Sequence, residues 1–327
     1  MIRHDEPRTL AGTHLRASRV VFGAMTFGSQ VDEAEAARMV DRCRQAGVTT
    51  FDTSNNYNEG RSEEILGRLV RPFRDGVLIC TKAGSPSGQS DPELAGLSRR
   101  GIVRSVDQSL QRLGTDYIDV FYLHCPDPRT PIEETLEALS EIKRLGKVRA
   151  VGQSNYAAWQ IMEMKWLAER EGWPPPLISQ PMFNLLARRL EDEYAACSQQ
   201  LGLSNIVYNP LAGGLLTGKH QLSARPADGT RFSRQNYRDR YWSPELFGAV
   251  DELASVAADA GLTLIQLAFR WLLAQPIVDC VLLGASSLQQ LDMNLDAIDG
   301  AGPDAETMRR CDDVWRRLRG PAPQYNR

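Results

Sequence analysis

Apolar residues along this chain fall into two alternating rhythms. Short runs rich in β-branched residues are each followed by a longer stretch with apolar positions at helical spacing. Arg19-Val20-Val21-Phe22 precedes Asp32, suited to cap a helix, and a helical segment through about Gln45. Thr49-Thr50-Phe51 precedes a helix around Ser62 to Leu69, and Val77-Leu78-Ile79-Cys80 one from about Gly101 to Leu113. Tyr117 to Leu123 precedes a helix from Ile132 to Arg144, and Lys147 to Val151 one from Ala157 to Glu171. Ile178-Ser179 and Ile206-Val207-Tyr208 continue the strand series, and Val281-Leu282-Leu283 closes it before a helix near Ser287 to Ala297.

Strands that read as unbroken apolar runs between helices predict a parallel sheet covered on both faces. About eight such units in one chain predict an α/β fold closed as a (β/α)8 barrel, the TIM barrel, spanning 1–327 as one domain. An open dinucleotide-binding sheet would show G-x-G-x-x-G after its first strand. This chain reads Gly23-Ala24-Met25-Thr26-Phe27-Gly28 there, which does not fit. The longest irregular stretch, 220–243, is polar and Arg-rich and is expected to act as a lid or binding loop.

Composition narrows the picture by exclusion. The formal net charge is −3 and no single-sign run marks a nucleic-acid arm. No stretch reaches the roughly 18 apolar residues needed to span a bilayer, and Met1 to Thr13 lacks the apolar centre of a secretory leader. Six scattered cysteines without a C-x-x-C pair suit reduced thiols, so a cytoplasmic protein is expected, with neither nucleic acid nor membrane as partner.

In a barrel of this kind the chemistry gathers at the C-terminal ends of the strands. Those ends present Asp52 with Tyr57 in the loop beyond, then Lys82, then His124. Singly, each has a structural explanation: a helix cap, a loop aromatic, a solvated charge, a satisfied loop histidine. Together they match carbonyl reduction, in which hydride goes to carbon and a proton to the developing alkoxide. Tyrosine can be the acid, though its ordinary pKa near 10 is high. Lys82 is expected to lower it, Asp52 to hold Lys82 charged, and His124 to orient the carbonyl oxygen.

The strings Phe51-Asp52-Thr53-Ser54-Asn55-Asn56-Tyr57, Gly60-Arg61-Ser62-Glu63-Glu64-Ile65-Leu66-Gly67, Thr81-Lys82 and Leu123-His124 resemble the aldo-keto reductases. Those are NADPH-using barrels with an Asp/Tyr/Lys/His tetrad, and all four members have counterparts here. Gly152 to Trp159, Asn209 to Lys219, Tyr237 to Trp242 and the ending Gln324 to Arg327 resemble the aflatoxin-aldehyde and succinic-semialdehyde reductase branch. The resemblance implies NADPH (NADP+) as cofactor, with NADH second. Ser154, Asn155 and Gln180 would hold the nicotinamide amide. The stretch Asn209, Pro210, Leu211, Ala212, Gly213, Gly214 through Lys219 would wrap nicotinamide and pyrophosphate, with Tyr208 against the ring. Arg231, Ser286, Ser287, Gln290 and Asn294 would take the adenosine phosphate. Tyr237, Arg240 and Arg327 would contact a small-molecule carbonyl substrate, the arginines suiting a carboxylated aldehyde or a dicarbonyl. The branch's dimers imply a homodimer.

Two departures stand out. No Lys or Arg lies in Gly284-Ala285-Ser286-Ser287, where many relatives carry a cation, so Arg231 and the neighbouring hydroxyls and amides would hold a 2′-phosphate. Asn58 follows Tyr57 where relatives often have a small residue. Gly213 to His220 nearly spells a P-loop, but His220 stands where the magnesium-binding hydroxyl belongs. Two alternatives stay open: a dinucleotide-binding regulatory barrel subunit with little turnover, and a Schiff-base aldolase acting through Lys82.

Overall fold

The computed structural model describes residues 1–86, 91 and 94–323. A short hairpin, β1 (Pro7–Thr9) and β2 (Arg16–Ser18), precedes the main sheet. Eight parallel strands follow: β3 (Val20–Gly23), β4 (Thr50–Asp52), β5 (Leu78–Ala83), β6 (Ile118–Leu123), β7 (Val148–Ser154), β8 (Ile178–Gln180), β9 (Ser204–Val207) and β10 (Cys280–Gly284). Each pairs with its sequence neighbour and β10 pairs back to β3, so the sheet is a closed barrel without a free edge. The helices around it are α1 (Glu33–Gln45), α2 (Arg61–Val70), α3 (Arg99–Leu113), α4 (Ile132–Arg144), α5 (Ala158–Glu171) and α6 (Tyr194–Leu201). Between β9 and β10 run α7 (Gln235–Tyr241), α8 (Pro244–Asp259) and α9 (Leu264–Leu273), and α10 (Leu288–Ile298) and α11 (Ala305–Arg319) finish the chain. The fold is the expected (β/α)8 TIM barrel. Among the described residues no single helix is long and apolar enough to cross a membrane.

Local chemistry explains the expected boundaries. Asp32 caps α1 by accepting from the Glu35 amide at 2.8 Å, and Ser98 caps α3 by accepting from Gly101. Acidic Glu133 and Glu134 open α4 while Lys143 and Arg144 close it, complementing the helix dipole at both ends. The sequence reading placed no element in the N-terminal hairpin, nor in α6, α8, α9 or α11. The stretch 220–243, read as irregular, contains a 3-10 turn at Arg231–Ser233 and the helix α7. It is fastened by packing: the His220 ring lies 4.9 Å from that of Phe232, Phe232 lies 5.1 Å from Trp242, and Trp242 lies 4.9 Å from Phe247.

The barrel has a closed end and an open one. Ala11 N donates to Ser204 Oγ and Ser18 N to Thr50 Oγ1, both at strand starts, so the hairpin seals the N-terminal mouth. Leu10 is fully buried beneath it among Val21, Cys80, Val120, Tyr122, Ile206 and Cys280, the side chains that fill the barrel. Larger apolar residues on the opposite strand faces, such as Phe22, Phe51 and Phe121, belong to the separate layer shared with the helices. Tyr122 fills the interior by lying over Gly152. A Cβ there would come within 2.7 Å of the Tyr122 ring and 2.4 Å of the Ile178 carbonyl oxygen. Gly152→Ala is therefore expected to destabilise the protein by about 1–3 kcal/mol through overpacking. A thermal midpoint equal to that of the wild type would contradict this account of the core.

Candidate active site

Asp52 ends β4, Lys82 lies one residue before the end of β5, and His124 follows β6. These are adjacent parallel strands, so the three groups rise at the same open mouth. Lys82 Nζ makes an ion pair with Asp52 Oδ1 and donates to the Thr53 carbonyl at 2.8 Å, and both charged side chains are buried. The other carboxylate oxygen accepts from Gln180 Nε2 at 2.8 Å. Burial works against the Lys82 ammonium, but Asp52 and then Tyr57 outweigh it and hold its pKa above the ordinary lysine value. Such a lysine is poorly suited to Schiff-base attack, which needs the free amine.

Tyr57 lies in the loop after β4 with its ring centroid 5.3 Å from Lys82 Nζ. Here the structure corrects an expectation. Lys82 does pull the phenol down, but burial pushes it up further, and the net displacement is upward. The phenol therefore stays protonated at neutral pH. The His124 ring stands edge-on to Tyr57, with centroids 6.0 Å apart and planes at 80°. Burial and then Lys82 push the imidazole down to about 3, so it is neutral at pH 7 and carries one ring N–H. Its Nδ1 lies 3.1 Å from Ser54 Oγ.

Around this centre Ser154 Oγ donates to the Gln180 carbonyl at 2.7 Å. Asn155, left-handed at φ 65°, donates to the His124 carbonyl at 2.8 Å and accepts from the Tyr208 hydroxyl at 2.7 Å. The turn beyond β9 holds Asn209 and Ala212 at φ 65° and 50°, with Gly213 and Gly214 at 72° and 104°. Asn209 closes it, accepting from Gly213 N at 2.7 Å and donating to the Tyr241 hydroxyl at 2.7 Å. Pro210 is buried, Leu211 half-buried, and Lys219 exposed at the far end. A Cβ on Gly213 would reach within 3.0 Å of the Tyr237 ring, so glycine keeps this stretch of backbone open beside that ring.

A family model for the aldo/keto reductase family matches residues 19–316 of this chain. The chain belongs to the aldo/keto reductase family. A probable voltage-gated potassium channel subunit beta from Arabidopsis thaliana is 37% identical, over 89% of this chain and 90% of its own length. Aflatoxin B1 aldehyde reductase member 2 from Rattus norvegicus is 33% identical, over 100% of this chain and 92% of its own. The human aldo-keto reductase family 7 member A3 is 34% identical, over 94% and 96%.

The remaining positions taken from the family resemblance are brought less directly to the centre. Arg231 Nη1 donates to the Tyr237 hydroxyl at 2.7 Å, and its Nη2 lies 3.1 Å from where a Cβ on Gly284 would stand. One arginine thus joins the 220–243 segment to the end of β10. Ser287 caps α10 by accepting from Gln290 N at 3.2 Å, and Ser286 directs both its amide and its hydroxyl to Gln290 Oε1. Asn294 is buried. At the start of α10, Leu288 N donates to Glu35 Oε1 of α1 at 2.8 Å, which sets a carboxylate beside these hydroxyls and amides. Arg240 is exposed, and Arg327 lies outside the described residues.

Sequence reasoning assigned no role to Ser54, Glu35 or the pair Glu63–Arg112. Glu63 is fully buried, accepting from Thr81 Oγ1 at 2.6 Å and from Arg112 at 3.2 Å, while Arg112 also donates to the Asn55 carbonyl at 3.2 Å. Helical spacing puts Glu63 on the face of Leu66, Gly67 and Val70, the signal by which its burial could have been found. Nothing in the sequence pointed to Glu35, whose partner is 253 positions away.

The His124 shift has a stability consequence of definite sign. Between about 3 and the ordinary value near 6.5 the unfolded chain takes up a proton that the folded protein refuses. The contribution is fully present above that window and is lost as pH falls through it. From pH 7 to 4, urea unfolding of the wild type should lose stability more steeply than that of His124→Gln, by at most about 1.4 kcal/mol per pH unit. Equal slopes would mean that the imidazole is not held neutral by the fold.

Proposed function

We propose that this chain reduces aldehydes or ketones to alcohols with NADPH, Tyr57 giving the proton. The observation that carries the reading is the buried Asp52–Lys82 pair beneath a protonated phenol, with a neutral histidine edge-on to it. NADPH, when bound, supplies the hydride. Lys82 stabilises the tyrosinate left behind, and Asp52, steadied by Gln180, keeps Lys82 charged. In the tautomer in which Nδ1 accepts from the Ser54 hydroxyl, the single ring proton sits on Nε2, which then donates to and orients the carbonyl oxygen.

The chain's residues fit a dinucleotide. Ser154, Asn155, Gln180 and Tyr208 adjoin the proton donor's neighbourhood, and the left-handed turn 209–214, with glycine at 213 and 214, would let phosphate oxygens approach the backbone closely. Arg231 with Ser286, Ser287, Gln290 and Asn294 would hold the adenosine phosphate. Glu35 at the start of α10 opposes a 2′-phosphate and narrows the margin of NADPH over NADH.

The relatives named for aflatoxin B1 aldehyde reduction support an aldehyde substrate. Arg240 lies 5.9 Å from the Tyr237 ring centroid and draws the Tyr208 phenol down against the larger push of burial, so its guanidinium neighbours two of the residues proposed to line the site. With Arg327, it favours carboxylated aldehydes such as succinic semialdehyde, or dicarbonyls. The potassium-channel relatives favour a second reading, a dinucleotide-binding subunit with little turnover. Multiple-turnover oxidation of the dinucleotide separates the two.

Tyr57→Phe should cut carbonyl reduction at least about a hundredfold while dinucleotide affinity, read by protein fluorescence, stays near that of the wild type. Retention of most activity would remove Tyr57 from the mechanism. Arg240→Ala should lower kcat/KM for succinic semialdehyde about tenfold more than for 4-nitrobenzaldehyde. Equal losses on the two aldehydes would end the carboxylate reading.

A further inference from the structure

The three residues after Tyr57 all adopt left-handed backbone conformations. Asn58 stands at φ 52°, ψ 43°, Glu59 at φ 59°, ψ 32°, and Gly60 at φ 90°. Gly60 tolerates this, and a Cβ there would displace the Arg112 side chain, whose Nε it would meet at 2.6 Å. For Asn58 and Glu59 the conformation is costly, and it persists only where the surroundings over-determine it.

The Asn58 side chain supplies that determination. Its Nδ2 donates to two backbone carbonyls at once, Phe27 at 2.7 Å and Met25 at 2.9 Å. Both partners are acceptors, so the amide must face them with its NH2 group; the oxygen in that place would be repelled by both. Those carbonyls belong to the turn that leaves β3. The same turn is tied to the segment after β10, where Thr26 Oγ1 donates to the Ala285 carbonyl at 2.8 Å, and to the 220–243 segment, where Gln30 donates to the Gly229 carbonyl. On the other side of Tyr57, Asn55 N donates to the Lys82 carbonyl at 3.0 Å and Tyr57 N to the Ser54 carbonyl at 3.1 Å. The phenol is thus suspended between two anchors, one on the strand that bears Lys82 and one through Asn58.

We propose that Asn58 is a positioning residue for the reaction: its two amide hydrogen bonds hold the backbone after Tyr57 left-handed and so place the phenol beside Lys82 and His124. The inference rests on the reading of Tyr57 as proton donor. Without the clamp, the backbone relaxes toward right-handed conformations, which redirects the chain as it leaves Tyr57 and shifts the ring from its place over the ammonium. Asn58 itself bonds the Met25 and Phe27 carbonyls and none of the residues proposed to hold the dinucleotide, so its loss is expected to act on proton delivery more than on cofactor binding.

Three variants separate the clamp from the backbone conformation. Asn58→Gly keeps the left-handed conformation accessible and removes both hydrogen bonds. Asn58→Asp keeps size and conformation but replaces the donor by an acceptor, and Asn58→Ala loses both clamp and conformational tolerance. Steady-state kcat and KM with an aldehyde, dinucleotide Kd by protein fluorescence and the thermal midpoint are measured for each. Asn58→Gly and Asn58→Asp are expected to lower kcat about tenfold or more, with KM and Kd within about threefold of wild type and a cooperative thermal transition retained. An Asn58→Gly variant with wild-type kcat would overturn the inference, since the position would then need only a left-handed backbone. Losses spread equally over kcat, KM and Kd would overturn it too, marking a general structural role. A wild type that turns over no carbonyl with either dinucleotide would bring down the reductase reading, and this inference with it.

Discussion

A lysine and an aspartate, both removed from water and joined at the mouth of a closed barrel, set the terms for everything around them. Burying two opposite charges is costly, and deleting one leaves the other uncompensated. The structure meets that cost with an accessory set: Thr53 contributes a carbonyl to Lys82, and Gln180 contributes an amide to the free oxygen of Asp52. Gln180 stands on β8, four strands around the ring from β4. Only a sheet that closes on itself brings it there, so closure of the barrel and neutralisation of the pair are one requirement. The pair in turn acts on its neighbours: burial sets the larger part of both shifts, while Lys82 opposes it at the Tyr57 phenol and adds to it at His124, which stays neutral.

Strain and order are distributed unequally between the two ends of the barrel. At the N-terminal end a hairpin and Leu10 close the mouth, and Tyr122 fills the space that Gly152 leaves. At the other end lie all five non-glycine residues with positive φ found among the described residues: Asn58, Glu59, Asn155, Asn209 and Ala212. Three of them are asparagine, whose short amide tolerates the left-handed region and can bond locally. Each of these asparagines uses its side chain to tie one loop to another: Asn58 to the turn after β3, Asn155 to His124 and Tyr208, Asn209 to Tyr241. Strained backbone collects where side chains must be aimed, and rigid strands below supply the support.

The segment 220–243 shows how a polar stretch can still be anchored. Its aromatic residues Phe232, Tyr237 and Trp242, with His220, pack against one another, while Arg231 lies near Gly284 at the end of β10 and Arg238 bonds back to the Phe232 and Ser233 carbonyls. Arg231 and Tyr237 are joined by a hydrogen bond, so groups that the family resemblance assigns separately to cofactor and to substrate act on one another before either ligand arrives.

Much of this was legible in the chain itself. Unbroken β-branched runs alternating with helical periodicity specify parallel strands under helices, and the helix starts at Glu33 and Leu288 follow from the side chains of Asp32 and Ser287; α3, expected from about Gly101, begins at Arg99 because Ser98 caps it. The gathering of Asp52, Tyr57, Lys82 and His124 at one mouth was legible because barrel strands deliver their C-terminal residues to one face, which turns linear position into spatial neighbourhood. The sequence could not reveal what depends on distance across the fold. The sign of the Tyr57 shift follows from how deeply the loop is buried, which local chemistry does not encode. Glu35 meets α10 only because the last barrel helix packs beside the first, and Asn58 finds two carbonyls only because β3 and β4 are adjacent. Residue identity decided which chemistry was available, whereas burial and long-range contact, set by closure of the barrel, decided how each group is charged, aimed and held.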